Sequence, residues 1–419
     1  MKNLFKLFII ISILILIYII YKSEIHWSGK NREYYSKFYL ISFISIIFFS
    51  LSFFLNKVFQ KYIAITILSI FASIYIFEFY INYKINFENR NLDKNFDQRS
   101  KLEIYNDLKK TNKNLQVTIA PMEVLRKNEI NKLFPLSGIS NAKTIHCNEN
   151  GYFSIYDSDR YGFNNPDNEW DAKIIEYLLV GDSYTHGSCV NRPNDIASNL
   201  RNLSGQSTLN LGYSANGPLI EYAILREYLS PNVKKILWLY YEGNDFIDLS
   251  LELKSKQLIK YYENLNYFQN LKNKQLEINK LLLSLKQKRK ENNDYNKILE
   301  FIKLYEARKL FKKRFSKPEK LPQEFKTIIR LANELAIENN AKLYFIYLPS
   351  FFRYSNMSKF DKKAVKNIIN DLGIPFIDID TEVFKKENNP LKLFPYEKNG
   401  HYNPEGYKKI ALKIYEKTN

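Results

Sequence analysis

Three long apolar runs within the first 83 residues constrain the fold more than any other feature of the sequence. They span Leu7 to Tyr21, Phe38 to Leu55 and Tyr62 to Phe77, and charged residues separate them. A helix needs about 20 apolar residues to cross a bilayer, and aromatic ends and lysines that reach the headgroups extend runs of this length. A buried core helix would explain one such run, but not three in succession. The pattern therefore predicts a transmembrane anchor of three helices at residues 1–83.

Two features of the sequence disagree about which side of the membrane holds the residues after the anchor. The distribution of Lys and Arg around the three helices favours a cytoplasmic domain. The two cysteines of the chain, Cys147 and Cys189, both follow the anchor. They either form one disulfide, which requires an oxidising compartment, or remain two unpaired thiols.

The residues after the anchor alternate between strand and helix patterns. A polar linker is expected at 84–116, and a domain at 117–419. Apolar runs such as ILWLYY are followed by amphipathic segments, which predicts an α/β fold with a mostly parallel sheet and helices on both faces. An insertion at about 250–320 has apolar residues at helical spacing. It is expected to pack over the sheet, with a cap over the site or a surface facing lipid headgroups as the functional alternatives.

The formal charge of +18 suggests an acidic partner such as nucleic acid, an anionic lipid surface or an acidic polymer. No nucleic-acid-binding motif accompanies it, so we expect no nucleic-acid partner and interpret the charge as a solvated, lysine-rich surface. No His, Cys, Asp or Glu cluster has metal-ligand spacing, and no glycine-rich phosphate loop is present. The sequence therefore predicts neither a metal nor a cofactor.

The stretch LLVGDSYTHG, residues 178–187, places a serine where an apolar strand ends. In open α/β sheets, ligands bind at the carboxyl edge, where loops and helix N-termini converge. Ser183 is therefore either a nucleophile or the N-cap of the next helix, a position that serine often occupies.

Three further stretches place polar groups at strand or helix ends. Gly212 lies in NLGYSANGP, Asn244 in YYEGND and His401 in NGHYNPEGY, just before the last predicted helix. Acyl transfer needs a hydroxyl, an imidazole to accept its proton, and N–H donors to stabilise the oxyanion of a tetrahedral intermediate. Of the four histidines, only His401 lies in a stretch that suits a base.

The ordered set of GDS, a loop glycine, GND and a C-terminal histidine resembles the SGNH branch of the GDSL hydrolases over about 170–419. The resemblance implies a flavodoxin-like α/β/α domain, with Ser183 as nucleophile and His401 as general base. It also implies an oxyanion hole formed by the N–H groups of Ser183 and Gly212 and the amide of Asn244. Members with membrane helices often add or remove acetyl groups on cell-envelope glycans.

The sequence departs from that family where an aspartate usually precedes the histidine by two or three residues. Asn399 occupies one of these positions, and Glu397 lies one step beyond them. Either could orient His401, and Asp378 or Asp380 are more distant candidates. The departure also leaves open a catalytically decayed module that binds glycan or protein.

Together these inferences predict an integral membrane protein of the plasma membrane whose domain lies outside the cytoplasm. Its substrate would be an acyl ester or an acylated glycan, with hydrolysis and transfer both open. The bilayer is the other expected partner.

Overall fold

The structure is a computed structural model that describes residues 2–29, 32–90, 96–126, 133–290, 293–315, 321–355 and 360–419. The chain divides into two compact units. One comprises Met1–Phe87 with Tyr295–Phe315, and the other comprises Glu88–Asp294 with Ser316–Asn419. The insertion expected at 250–320 is therefore shared between the units, and its residues 291, 292 and 316–320 lie outside the described part.

The first unit contains three long apolar helices, α1 (Lys2–Ile20), α2 (Arg32–Ser52) and α3 (Lys57–Arg90), with a π-helical turn, Tyr21–His26, after α1. The segments Lys2–His26, Arg32–Ser52 and Lys57–Lys84 are long and apolar enough to cross a membrane. Most of their large apolar side chains are exposed, as expected where acyl chains are the surroundings. The prediction of three membrane helices is confirmed in length and composition.

The same unit includes two shorter helices from the insertion. They are α12 (Asn293–Ile302), most of which belongs to this unit, and α13 (Tyr305–Phe315).

The second unit is built on a parallel sheet of five strands. They are β4 (Ile175–Gly181), β5 (Thr208–Asn210), β6 (Val233–Tyr241), β7 (Lys342–Leu348) and β8 (Phe376–Asp378). Their spatial order is β5-β4-β6-β7-β8, and each neighbouring pair is parallel. Numbered within this sheet, the order is 2-1-3-4-5, which is the flavodoxin-like order. In β4, Leu179 pairs with Asn210 and Leu237, so the three strands end at one edge.

Helices cover both faces of this sheet, because alternate residues of each strand point to opposite sides. Leu178 and Val180 pack on one face with apolar residues of α8 (Pro218–Tyr228) and α14 (Gln323–Glu338). Tyr177 and Leu179 pack on the other face with α7 (Ile196–Ser204) and α18 (Pro404–Thr418). The expected three-layer α/β/α fold is confirmed. The remaining helices are α4 (Lys101–Lys109), α5 (Met122–Arg126), α6 (Ser183–His186), α9 (Asp245–Glu252), α10 (Lys256–Glu263), α11 (Gln275–Lys290), α15 (Phe351–Tyr354), α16 (Lys362–Asp371) and α17 (Ile379–Glu382).

A small second sheet precedes the main one. Its strands are β1 (Leu115–Val117), β2 (Lys143–Ile145) and β3 (Ile155–Asp157), with β1 parallel and β3 antiparallel to β2. The segment expected to be a linker, 84–116, contributes α4 and β1 to this part of the molecule; its residues 91–95 lie outside the described part. Ile104 of α4 packs against Leu115 and Ile145, so this segment has a small core of its own.

Candidate active site

Ser183 begins α6 immediately after β4, at the carboxyl edge of the main sheet. Asp182 caps this helix, because its Oδ1 accepts a hydrogen bond from the Tyr184 N–H at 2.8 Å. Gly181 makes the tight turn possible, since a Cβ there would lie 2.0 Å from Thr185 Oγ1. Asp182 is thus the N-cap, and the Ser183 side chain is left half-exposed.

His401 lies beside Ser183 in space, although 218 residues separate them in the chain. Its Nε2 is 2.9 Å from Ser183 Oγ. The following residues start α18, where the Asn403 side chain accepts from the Gly406 N–H at 2.9 Å and Pro404 occupies the first turn. This helix start holds His401 at the edge where β4 ends.

Glu149, which the sequence analysis did not identify, is the carboxylate on the other nitrogen of His401. Both of its carboxylate oxygens lie 3.1 Å from His401 Nδ1, and Oε2 also accepts from the His401 backbone N–H at 2.6 Å. Glu149 lies between β2 and β3 of the small sheet. Gly400 permits this approach, since a Cβ there would lie 2.7 Å from Glu149 Oε2. Ser183, His401 and Glu149 therefore form a continuous hydrogen-bonded series.

The acidic candidates expected near the histidine have other partners. Glu397 is exposed and accepts from Asn389 Nδ2 at 3.1 Å, and Asn399 is exposed. Asp378 and Asp380 both accept from Lys362, as a separate ion-pair cluster. Glu149, rather than the candidates Asn399 and Glu397, contacts His401 Nδ1, because the loop after β2 reaches the site from another part of the chain.

The charges of Glu149 and His401 stabilise each other. Burial by itself favours the neutral form of His401, but the charge of Glu149 and its hydrogen bond outweigh burial, so the pKa of His401 is raised. Burial likewise favours protonated Glu149, yet the charge and hydrogen bonds of His401 lower the pKa of the carboxyl. Glu149 is therefore ionised at neutral pH and can stabilise an imidazolium.

Two other histidines near the site are poor candidates for the base because burial keeps them neutral. Burial lowers the pKa of His186 to about 3 and holds that of His146 well below its ordinary value. His146 Nε2 lies 2.7 Å from Ser188 Oγ, which makes a second serine–histidine pair, but both side chains are buried. Among the serine–histidine pairs of the described residues, Ser183 and His401 combine this contact with partial exposure of both side chains.

Tyr184, which is not among the predicted site residues, contacts the His401 ring and the backbone next to it. Its hydroxyl donates to the Gly400 carbonyl oxygen at 3.0 Å, and its ring centroid lies 4.7 Å from that of His401. It also stacks on Tyr241, with ring centroids 3.8 Å apart. Because Tyr184 follows Ser183 directly, one short segment presents the serine and supports the histidine loop.

Gly212 and Asn244, two of the three expected oxyanion donors, lie at the same sheet edge but already have acceptors. The Gly212 N–H donates to Asn210 Oδ1 at 2.9 Å, and Asn244 Nδ2 donates to Asp248 Oδ2 at 2.6 Å. Gly212 is also needed for packing, since a Cβ there would lie 2.8 Å from the backbone nitrogen of His186. The Gly212 N–H could bind an oxyanion only if Asn210 released or shared it, whereas the Asn244 amide has a second hydrogen besides the one that it donates to Asp248.

Cys147 and Cys189 form a disulfide, with their Cα atoms 5.0 Å apart. The bond joins the loop that carries Glu149 to the segment that follows α6. Cys189 Sγ lies 3.7 Å from His401 Nδ1, and the ligand atoms of Glu149, Cys189 and His401 all lie within 4.8 Å of one another. A disulfide sulfur is not the thiolate that metals prefer, so this set offers a metal only two ordinary ligands.

Comparisons with known proteins bear only distantly on this site. No family model matches the chain, and no curated protein matches it. Among solved structures it is similar to one described as "a putative lipolytic protein of G-D-S-L family from Desulfitobacterium hafniense DCB-2". The identity is 13% and the TM-score 0.35, with 57% of this chain and 98% of that chain covered. At this distance the similarity does not carry that protein's activity to this chain.

Proposed function

We propose that this chain is a membrane-anchored serine hydrolase or acyltransferase that acts on acyl esters through an acyl-Ser183 intermediate. The observation that carries the proposal is the series from Ser183 Oγ through His401 to Glu149, with 2.9 Å and 3.1 Å contacts on the two ring nitrogens. This is the arrangement of nucleophile, base and orienting acid that activates a hydroxyl.

The proposed reaction has two halves. First, His401 Nε2 accepts the Ser183 proton as Oγ attacks the ester carbonyl, and the imidazolium then protonates the departing alkoxide. Second, a water molecule or a sugar hydroxyl gives its proton to His401 and attacks the acyl-enzyme; the bond between the acyl carbon and Ser183 Oγ then breaks as the imidazolium returns the proton to Oγ. Throughout, Glu149 keeps the Nδ1 proton in place and stabilises the imidazolium, without itself becoming protonated.

The oxyanion of each tetrahedral intermediate would be bound by the Ser183 and Gly212 N–H groups and the Asn244 amide. Their common position at the carboxyl edge of the sheet supports this assignment. Asn244 has two amide hydrogens, so donation to Asp248 leaves it the capacity for a second acceptor. Substrate binding would have to redirect the Gly212 N–H, since an N–H donates one strong bond.

The proposed substrates are acyl esters of cell-envelope glycans, with the domain outside the cytoplasm. The membrane helices and the SGNH-like motifs support this class, and the Cys147–Cys189 disulfide favours an oxidising compartment. Whether water or a sugar accepts the acyl group would decide between hydrolysis and transfer. No part of this scheme uses nucleic acid.

A decayed module that binds glycan or protein is the alternative function, and the missing aspartate near His401 was its motivation. Glu149 supplies a carboxylate at that place, so the reason for expecting decay is weaker. If this alternative were correct, Ser183→Ala would leave ligand binding and biological role intact.

The test uses the full chain in detergent or nanodiscs with a small chromogenic acetyl ester and a fluorophosphonate label for reactive serines. Wild type should turn over the ester and label at Ser183, and Ser183→Ala and His401→Ala should lose both. Ser188→Ala is the matched control, because it removes the buried serine of the second serine–histidine pair and should leave labelling unchanged. A folded wild-type protein that neither turns over nor labels would favour the binding module. Adding a sugar acceptor and measuring acetylated sugar against free acetate then separates transfer from hydrolysis.

A further inference from the structure

Residues 295–315, here called the basic hairpin, contact the third membrane helix, α3. The Tyr75 hydroxyl donates to the Ile302 carbonyl oxygen at 3.0 Å, and the Tyr75 ring lies 5.9 Å from that of Phe301. The hairpin belongs to the same compact unit as the membrane helices. Its position is therefore defined relative to the membrane-spanning segments.

Glu78 of α3 binds the N-terminal end of α13, the second helix of the hairpin. Its carboxylate accepts from the backbone N–H groups of Glu306 at 3.1 Å and Ala307 at 2.7 Å, and also from Asn82 Nδ2 at 3.1 Å. Glu78 itself is buried. A carboxylate in a membrane helix is costly unless it is satisfied, and these donors satisfy it. The attachment thus accounts for the acidic residue in an otherwise apolar run.

The attachment point lies near one end of the third membrane span. The third membrane span ends at Lys84, six residues after Glu78. At a rise of about 1.5 Å per residue, Glu78 lies about 9 Å along the helix from that end. With Lys84 at the membrane surface, Glu78 would lie near the boundary between headgroups and acyl chains, where interfacial helices bury their apolar side chains.

The surface of the hairpin has the chemistry of such a boundary. Ile298 is 62% exposed, Ile302 53% and Leu310 44%, in a segment of only 13 residues. Ile76 and Phe79 of α3 are exposed to a similar degree, as side chains that face lipid would be. Residues 295–315 also contain seven Lys or Arg and two Glu, a net charge of +5. Apolar side chains with a basic excess fit an anionic lipid surface.

We propose that the basic hairpin lies in the interface of the membrane that holds the anchor, and binds anionic phospholipid there. Its exposed apolar side chains insert among the upper acyl chains, and its exposed basic residues Lys303, Arg308 and Lys309 contact the headgroups. This inference is independent of the chemistry at Ser183.

The first experiment measures lipid contact directly in the full chain. Leu310→Cys is labelled with a nitroxide in nanodiscs of mixed neutral and anionic phospholipid, and wild type controls for labelling of the disulfide cysteines. Collisions with oxygen, which concentrates in lipid, and with a polar nickel complex are then compared. Ile337→Cys, on α14 of the other unit and 64% exposed, is the control outside the membrane-spanning unit. The proposal expects oxygen to dominate at 310 and the nickel complex at 337. Nickel dominance at both positions would overturn it, as would a short label-to-label distance with loss of oxygen contact, which would indicate a second copy.

A second experiment tests the attachment with two matched variants. Glu78→Gln keeps one of the two acceptor oxygens, so it can still accept from Ala307 or Glu306, whereas Glu78→Leu removes every acceptor. In the Leu310 label background, Glu78→Gln should retain the oxygen-dominated signal and Glu78→Leu should lose it. Replacing Arg308 and Lys309 with glutamine lowers the net charge of the hairpin from +5 to +3 and should weaken the dependence of the signal on the anionic lipid fraction. Equal signals in all variants and lipids would contradict both the attachment and the anionic preference.

Discussion

Glu149→Gln removes the charge beside His401 and nearly preserves the shape of the side chain. In the structure, Glu149 Oε2 accepts from the His401 backbone N–H at 2.6 Å, so the glutamine oxygen should take that position. The new amide group then takes the position of Oε1, 3.1 Å from Nδ1, and donates to it. The ring proton is thereby moved to Nε2, which can no longer accept the proton of Ser183. We expect a large fall in kcat with little change in KM.

The size of the fall follows from the geometry. Unit charges separated by the 3.1 Å between Glu149 and His401 attract by about 5 kcal/mol at an effective dielectric constant of about 20, and by about 1 kcal/mol at about 80. The side chains of His401 and Glu149 are 22% and 30% exposed, so solvent screening puts the value between these limits. About 3 kcal/mol corresponds to about 10²-fold in rate. The wrong tautomer can extend the loss to about 10⁴-fold, as in other serine triads.

The assay is ester turnover by the full chain, with Glu397→Gln and Asn399→Ala as matched controls. Both control residues are exposed and near His401 in sequence, and neither should change kcat. Thermal unfolding of each variant checks that Glu149→Gln is folded. A folded Glu149→Gln protein with kcat within about threefold of wild type would refute the role of Glu149. A selective loss in Glu397→Gln would return the orienting role to that residue.

Gly400→Ala should lower kcat and change the melting temperature little, because its Cβ would lie 2.7 Å from Glu149 Oε2 and displace the carboxylate. Turnover and melting curves of the variant check this. In the pH profile of kcat/KM, activity should rise as His401 loses its proton, at a pKa above its ordinary value, because the charge of Glu149 outweighs the effect of burial. In Glu149→Gln that limb should move to lower pH, and an unmoved limb would contradict the assignment. Reducing the Cys147–Cys189 disulfide, which spans 42 residues, should lower the free energy of unfolding by about 4 kcal/mol in urea titrations and lower kcat.

The α/β architecture could be predicted from the sequence because its signals are local. Apolar runs such as that of β6 mark buried strands, and the amphipathic helices between them require parallel crossovers. The surface against which the helices of the insertion pack was harder to predict. Periodicity identifies an apolar helix face but does not identify what covers it, and α13 contacts Glu78 of α3 across 228 residues.

The positions of Ser183 and His401 could also be predicted, since each follows or precedes an element that ends at the carboxyl edge of the sheet. Glu149 could not be found in this way, because it reaches His401 across 252 residues from a loop of the small sheet. One signal was available. A bond between Cys147 and Cys189 brings residues 147–150 next to the segment after Ser183, and Glu149 is an acidic residue in that stretch.

The position of the acid in the chain has no bearing on what it does for the imidazole. His401 requires a negative charge about 3 Å from Nδ1, fixed in direction, and the backbone N–H of His401 supplies that direction by binding Glu149 Oε2. An aspartate two residues away would be held there by the covalent chain. Glu149 has no such tether, and the disulfide two residues before it restricts its loop instead. The absence of the usual aspartate is therefore a poor reason to infer lost catalysis, since a distant carboxylate with its own restraint can supply the same electrostatic stabilisation.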